Sequence, residues 1–183
     1  MKLDELMPVY DVAATYSMHV AAPPERVWEE VMNTDFSQMP LARRLMALRT
    51  LGRKKPAADK KTTIAAMAEE DAGGFKEIGR VPRQEIVLAI IGKFWRPDAP
   101  VLRQWEPSAF SALTPEGFGK AAWNFYLTPD GDQTIMSTET RVLCYGKSER
   151  FLFRCYWTLI GFFSGLIRKE MLQMIKRNSE RTT

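Results

Sequence analysis

The sequence predicts an α+β fold: a bent antiparallel sheet of about six or seven strands wrapped on one long C-terminal helix, with two short helices after the first strand. Three observations predict it. Residues 133–145 form one long strand-like run, and residues 148–177 follow as one long helix with almost no linker. Residues 75–132 are a run of short alternating segments punctuated by Gly, Pro and Asp turn signals. Residues 14–48 begin with one alternating segment and continue at helical spacing.

The first strand starts at Ala14, with Tyr16, Met18 and Val20 on one face and Thr15, Ser17 and His19 on the other. Ala21-Ala22-Pro23-Pro24 ends it, and Pro24 suits the first turn of a helix, where a missing N–H costs nothing. Val27, Trp28, Val31 and Met32 follow at helical spacing, and Leu41, Leu45 and Leu48 predict a second short helix over Pro40–Leu48 that stops near Gly52. Arg53–Lys61 reads as an exposed loop, and Thr62–Glu70 as a short helix or turn before Gly73-Gly74. Strands are expected over Phe75–Arg80 and, after a Pro82-Arg83 turn, over Glu85–Phe94, which is apolar on both faces. Trp95–Arg103 reads as a rim loop, Ser108–Leu113 as a strand, Thr114–Gly117 as a turn and Ala121–Leu127 as a strand. Thr128-Pro129-Asp130-Gly131-Asp132 is a hairpin signal that leads into the long strand.

The C-terminal helix carries Phe151, Leu152, Phe153, Tyr156, Trp157, Leu159, Ile160, Phe162, Phe163, Leu166 and Ile167. A helix apolar all round must be buried or must cover something apolar. Lying across a curved sheet, it predicts an internal hydrophobic cavity beneath Tyr156–Ile167. Gly161 and Ser164-Gly165 interrupt it, each glycine at a cost of about 1 kcal/mol relative to alanine, which calls for a kink or a close approach to the sheet.

The run Met18-His19-Val20-Ala21-Ala22-Pro23-Pro24-Glu25-Arg26-Val27-Trp28 resembles the opening of the START-like helix-grip superfamily, also called SRPBCC. Thr138–Val142, Tyr156-Trp157 and Leu166-Ile167-Arg168 resemble a bacterial branch of it. The likeness follows element order over nearly the whole chain. It implies one START-like ligand-binding domain over residues 1–183, a seven-stranded sheet gripping the helix, and a cavity between them. Polyketide cyclase-like proteins and lipid carriers share that superfamily.

A chain of 183 residues with 45% hydrophobic and 26% charged residues suits one globular domain. Cys144 and Cys155 lack metal-ligand spacing and read as free thiols of a reducing compartment. The N-terminus lacks the apolar stretch of a secretory signal, and Phe151–Ile167 is short for a bilayer span and interrupted by Arg154, so a cytoplasmic protein is expected. Between Arg43 and Lys61 eight basic residues face only Asp59, a local charge of 8 − 1 = +7 against +4 for the whole chain. That segment is open to weak membrane-surface contact. No aromatic residue interleaves its charges, so nucleic acid is not an expected partner.

No catalytic set is evident. His19 is the one histidine and sits on the polar side of its strand, and the glycine pairs lack phosphate-loop spacing. No metal or other cofactor is expected. Glu139 and Arg141 share one strand face and have two open placements: lining the cavity, where they orient a ligand or poise a carboxylate for proton transfer, or pairing on the solvent face. Burial near the cavity end is the favoured placement. Trp95, Trp123, Phe125, Tyr156 and Trp157 are expected to line the cavity, with Asn124 and Tyr126 facing outward. Arg168 and Lys169 are expected to pair with carboxylates or to keep the helix end soluble. The expected function is binding or carriage of a small hydrophobic molecule. The alternatives are a cyclase- or hydratase-type enzyme using Glu139, Tyr16 or Tyr156, and a peripheral membrane or partner-binding module using residues 43–61.

Overall fold

A computed structural model describes residues 1–41, 62–69 and 74–181. The basic segment 43–61 lies outside these residues, as does the expected helix after Pro40 and Leu41. The elements are α1 (Lys2–Leu6), β1 (Val12–Val20), α2 (Pro24–Asn33), α3 (Ile64–Glu69), β2 (Lys76–Val81), β3 (Glu85–Gly92), β4 (Val101–Leu102), β5 (Gly119–Asp130), β6 (Gln133–Cys144) and α4 (Lys147–Ser179). The fold is α+β: one antiparallel six-stranded sheet in the order β1-β6-β5-β3-β2, with β4 paired to β3, and a long C-terminal helix across it. This is the helix-grip arrangement.

The β5–β6 hairpin is the spine of the sheet. Asp130 pairs with Gln133 across the two-residue Gly131-Asp132 turn, and the register runs unbroken to Gly119 opposite Cys144. Alternation then sends two sets of side chains to opposite faces. Met136, Val142, Trp123, Phe125, Ile86 and Leu88 face the helices, while Leu143, Ala122, Val87, Ala89 and Ile91 face the other way.

That second face is the main departure from expectation. It is covered by an outer layer made of α1 and the segment after β4, around a core of Leu3, Met7, Trp105 and Phe110. Leu3, Leu6 and Met7 stand at helical spacing, which gives α1 one apolar side to lay on the sheet. The strand expected over Ser108–Leu113 is instead a 3₁₀ turn at Pro107–Ala109 followed by further turns. Proline has no N–H for a ladder, and Phe110 and Leu113 fall three apart, on one side of a turn rather than at strand spacing. Lys120 fastens this segment from below. Its buried ammonium donates to the carbonyls of Phe110 at 2.9 Å, Ser111 at 3.3 Å and Leu113 at 2.9 Å. Burial lowers the Lys120 pKa, but its three donors are already used.

The turn from β6 into α4 is abrupt. Gly146 has φ 114, in the region that disfavours side chains, and this lets the helix start one residue later. At the other end α4 is pinned by polar contacts. Arg26 of α2 donates to the carbonyl of Ser179 at 2.6 Å and of Arg181 at 2.6 Å, where helix carbonyls lack partners. Lys176 donates to the His19 carbonyl at 2.6 Å, and Glu180 accepts from the Ala21 N–H at 2.7 Å.

Candidate functional site

Among the described residues the helix-facing side of the sheet carries two separate apolar clusters. At the N-terminal end of α4, Phe153 is buried with Val142 and Cys144, and Trp95, Tyr156 and Trp157 pack around it. The Phe153 ring lies 5.7 Å from Trp157, 6.1 Å from Tyr156 and 6.2 Å from Trp95. At the C-terminal end, Met171, Leu172 and Ile175 join the large cluster that contains Trp123, Phe125 and α2. Between Phe153 and Met171 the only buried residue of α4 is Gly165. A Cβ at Gly165 would collide with the Tyr16 hydroxyl, so the close approach expected for this glycine is to the β1 tyrosine.

Between the clusters the helix-facing side of β1 and β6 presents Ala14 and Thr140. Ala14 pairs with Thr140, which pairs with Trp123 on its other side. All three face the helix, and Ala14 and Thr140 are only half-buried. On one side of Ala14 and Thr140 stands the Phe153 aromatic group. On the other side stand Tyr16, Trp123, Phe75 and Arg168, with Phe75 and Trp123 rings 5.5 Å apart. Trp95, Tyr156 and Trp157 therefore come together at one end, and Trp123 and Phe125 at the other. Among the described residues a recess of about 300 Å³ also opens elsewhere, between α2 and the C-terminal end of α4, lined by Thr34, Asp35, Met174, Arg177, Asn178 and Arg181.

Glu139 and Arg141 are buried, but the expected position at the cavity is corrected. They stand at odd positions of β6 and face the outer layer, away from α4. Arg141 donates to Glu139 at 2.6 Å, to Asp4 at 2.5 Å and to the Met7 carbonyl at 3.0 Å, and it lies 4.9 Å from the Tyr10 ring. Asn124, expected to face outward, does so but is buried under α1. Its amide donates to Glu85 at 2.7 Å, and its oxygen accepts from the Glu139 N–H at 2.9 Å. Glu85 accepts in turn from the N–H groups of Lys2 at 2.5 Å and Leu3 at 3.2 Å. The polar network thus holds the N-terminal helix on the sheet.

Arg168 is the side chain that sequence reasoning misplaced. It lies on the sheet side of α4, its guanidinium 4.0 Å from the Trp123 ring. The helical spacing of Phe153, Trp157, Ser164, Arg168 and Ile175 put it on the sheet-facing stripe. Its charge suggested the opposite.

The excess of apolar side chains on α4 has a second explanation besides a cavity. Phe151, Leu159 and Phe162 are 68–70% exposed, and Leu152 and Phe163 join them on the outward side. No helix among the described residues is long and apolar enough to cross a membrane. Both cysteines are free. Burial pushes the Cys144 thiol up to about 12, which keeps it unreactive, and Cys155 is exposed on α4. His19 is exposed, 3.8 Å from Asp130. No group of three potential metal ligands occurs among the described residues.

No family model matches the chain, and no curated protein matches it in sequence. In outline it is similar to solved structures. A conserved protein from Geobacillus kaustophilus aligns over 92% of this chain and 95% of its own at 12% identity and a TM-score of 0.45. Protein CV1439 from Chromobacterium violaceum aligns over 96% and 100% at 14% identity and a TM-score of 0.42. The ZhuI aromatase/cyclase from a Streptomyces species aligns over 93% and 94% at 12% identity and a TM-score of 0.32. Likenesses at this level carry no functional inference.

Proposed function

We propose that the protein binds and carries a small hydrophobic molecule in the gap between the sheet and the middle of α4. One observation carries the proposal: among the described residues the helix-side core falls into two clusters, and α4 bridges them over Ala14 and Thr140 with aromatic rings on both sides. Continuous packing is the rule in protein interiors, so a bridged break walled by apolar rings is suited to a guest molecule. A neutral apolar dye such as Nile red is expected to bind stoichiometrically and to quench tryptophan emission through Trp123 and Trp157. Ala14→Leu fills the floor and is expected to weaken the dye at least tenfold while the far-ultraviolet circular dichroism stays unchanged. Unquenched tryptophan at saturating dye, or full affinity in the filled variant, would overturn the proposal.

The outward face of α4 supports a second reading, contact with an anionic bilayer. Phe151, Leu152, Leu159, Phe162 and Phe163 form one apolar stripe, and the same helix exposes Lys147, Arg150, Arg154 and Lys169. The carboxylate paired with Arg150 and Arg154 is Asp11, whose side chain is 9% exposed. Apolar residues flanked by cations match the charge and depth of a lipid headgroup layer. At low salt the protein is expected to sediment with phosphatidylserine-containing vesicles and not with neutral ones, and Phe162→Glu is expected to abolish the effect. Equal sedimentation of wild type and variant would exclude this face.

A further inference from the structure

We propose that the gap under α4 recognises its guest by an acidic group. The Arg168 guanidinium and the Trp123 indole N–H form a carboxylate-binding end, and the ligand class is an apolar chain or ring bearing a carboxylate. This rests on the carriage proposed above and adds the chemistry of the guest.

Arg168 brings five N–H donors to the helix–sheet interface, and the hydrogen bond it makes is a weak one, to the Met171 sulfur at 3.9 Å. It forms no ion pair with any described residue. The nearest acid in sequence, Glu170, is two positions on and so lies on another side of the helix, where it accepts from the Leu41 N–H. Burial pulls the Arg168 pKa down to about 9, so the group remains charged at neutral pH, and no described carboxylate pairs with it. Arg168 is half-buried, and a cation that has lost part of its hydration is ordinarily paired.

Trp123 supplies the second, independent observation. It is 7% exposed, and its indole N–H has no hydrogen-bond partner among the described residues. A buried indole ordinarily finds one. The guanidinium lies 4.0 Å from the centre of that ring, so the two groups are neighbours. Tyr16 adds a third group to the same end. Its hydroxyl lies against Gly165, one helical turn before Arg168, and it interacts electrostatically with Arg168. The Phe75 and Phe125 rings stand beside Trp123, 5.5 and 6.0 Å from it. A planar guanidinium fork matches a carboxylate in both shape and charge.

The test compares dodecanoate with dodecanol, which share an apolar chain and differ in charge, by competition against Nile red. Wild type is expected to bind dodecanoate at least tenfold more tightly than dodecanol. Arg168→Met is expected to bind both alike, at the dodecanol affinity. Arg168→Lys keeps the charge without the fork and is expected to retain part of the preference. Trp123→Phe keeps the ring without the N–H and is expected to lower it several-fold. If wild type binds dodecanol as well as dodecanoate, or Arg168→Met keeps the preference, the acidic-group inference falls and carriage stands. If neither compound displaces the dye, both fall.

Discussion

Arg141→Met is expected to destabilise the protein by about 3–5 kcal/mol, because it leaves the buried Glu139 carboxylate without its cation. Glu139 and Arg141 are 9% and 6% exposed, so water cannot replace the lost partner. The same change removes the guanidinium that holds Asp4 and the Met7 carbonyl, the acidic and C-terminal contacts of α1. The midpoint of urea unfolding reads the effect. Replacing Glu139 and Arg141 together by methionine is expected to cost less than the two single changes summed, since no lone charge then remains. A loss under about 1 kcal/mol for Arg141→Met would place the pair among ordinary surface bridges. Acid should loosen the same docking. The Arg141 hydrogen bond lowers the Asp4 pKa in the folded state. A carboxyl lowered on folding contributes fully above its unfolded value and loses that contribution as pH falls through the folded one. The contribution of Asp4 is therefore lost below about pH 4. Emission from Trp105, in the outer core, is the reporter.

Glu85→Ala is expected to cost about 3 kcal/mol, from three hydrogen-bond donors stranded at once. They are the N–H groups of Lys2 and Leu3, at the start of α1, and the Asn124 amide. Glu85 is 1% exposed and belongs to β3, so a central strand reaches up to the N-terminal helix by a side chain alone. Amide exchange separates this from a general loss. Protection should fall first in α1 and in the turns around Phe110, while the β5–β6 ladder keeps its rank. Glu85→Gln keeps an acceptor and should cost less. Uniform loss of protection across the sheet would show that Glu85 supports the core rather than the outer layer.

The physical origin of both effects is the outer layer, which no local pattern announced. The five residues of α1 are too few to propagate a helix on their own and are stabilised by burying Leu3, Leu6 and Met7 against the sheet. Ser108–Leu113 has strand-like composition and turns because Phe110 and Leu113 must both reach the same core. The apolar pattern of β3 on both faces was the visible trace of this second layer.

By itself the sequence determined the elements whose cause is local. The Pro24 helix start, the hairpin at Gly131-Asp132, the alternation of β1, β5 and β6 and the length of α4 all follow from backbone preferences and periodicity within a few residues. Only the tertiary structure decided which way the faces turn. Alternation says that Glu139 and Arg141 share a side and that Met136 and Val142 share the other, but not which side meets α4. Helical spacing says that Phe151, Leu159 and Phe162 share a stripe, but a sheet buries one stripe of a helix and leaves the opposite one to solvent. Arg168 stands on the buried stripe and Phe162 on the exposed one, the reverse of what their polarity alone would assign. Charge and hydrophobicity are properties of residues, whereas burial belongs to the packed layers.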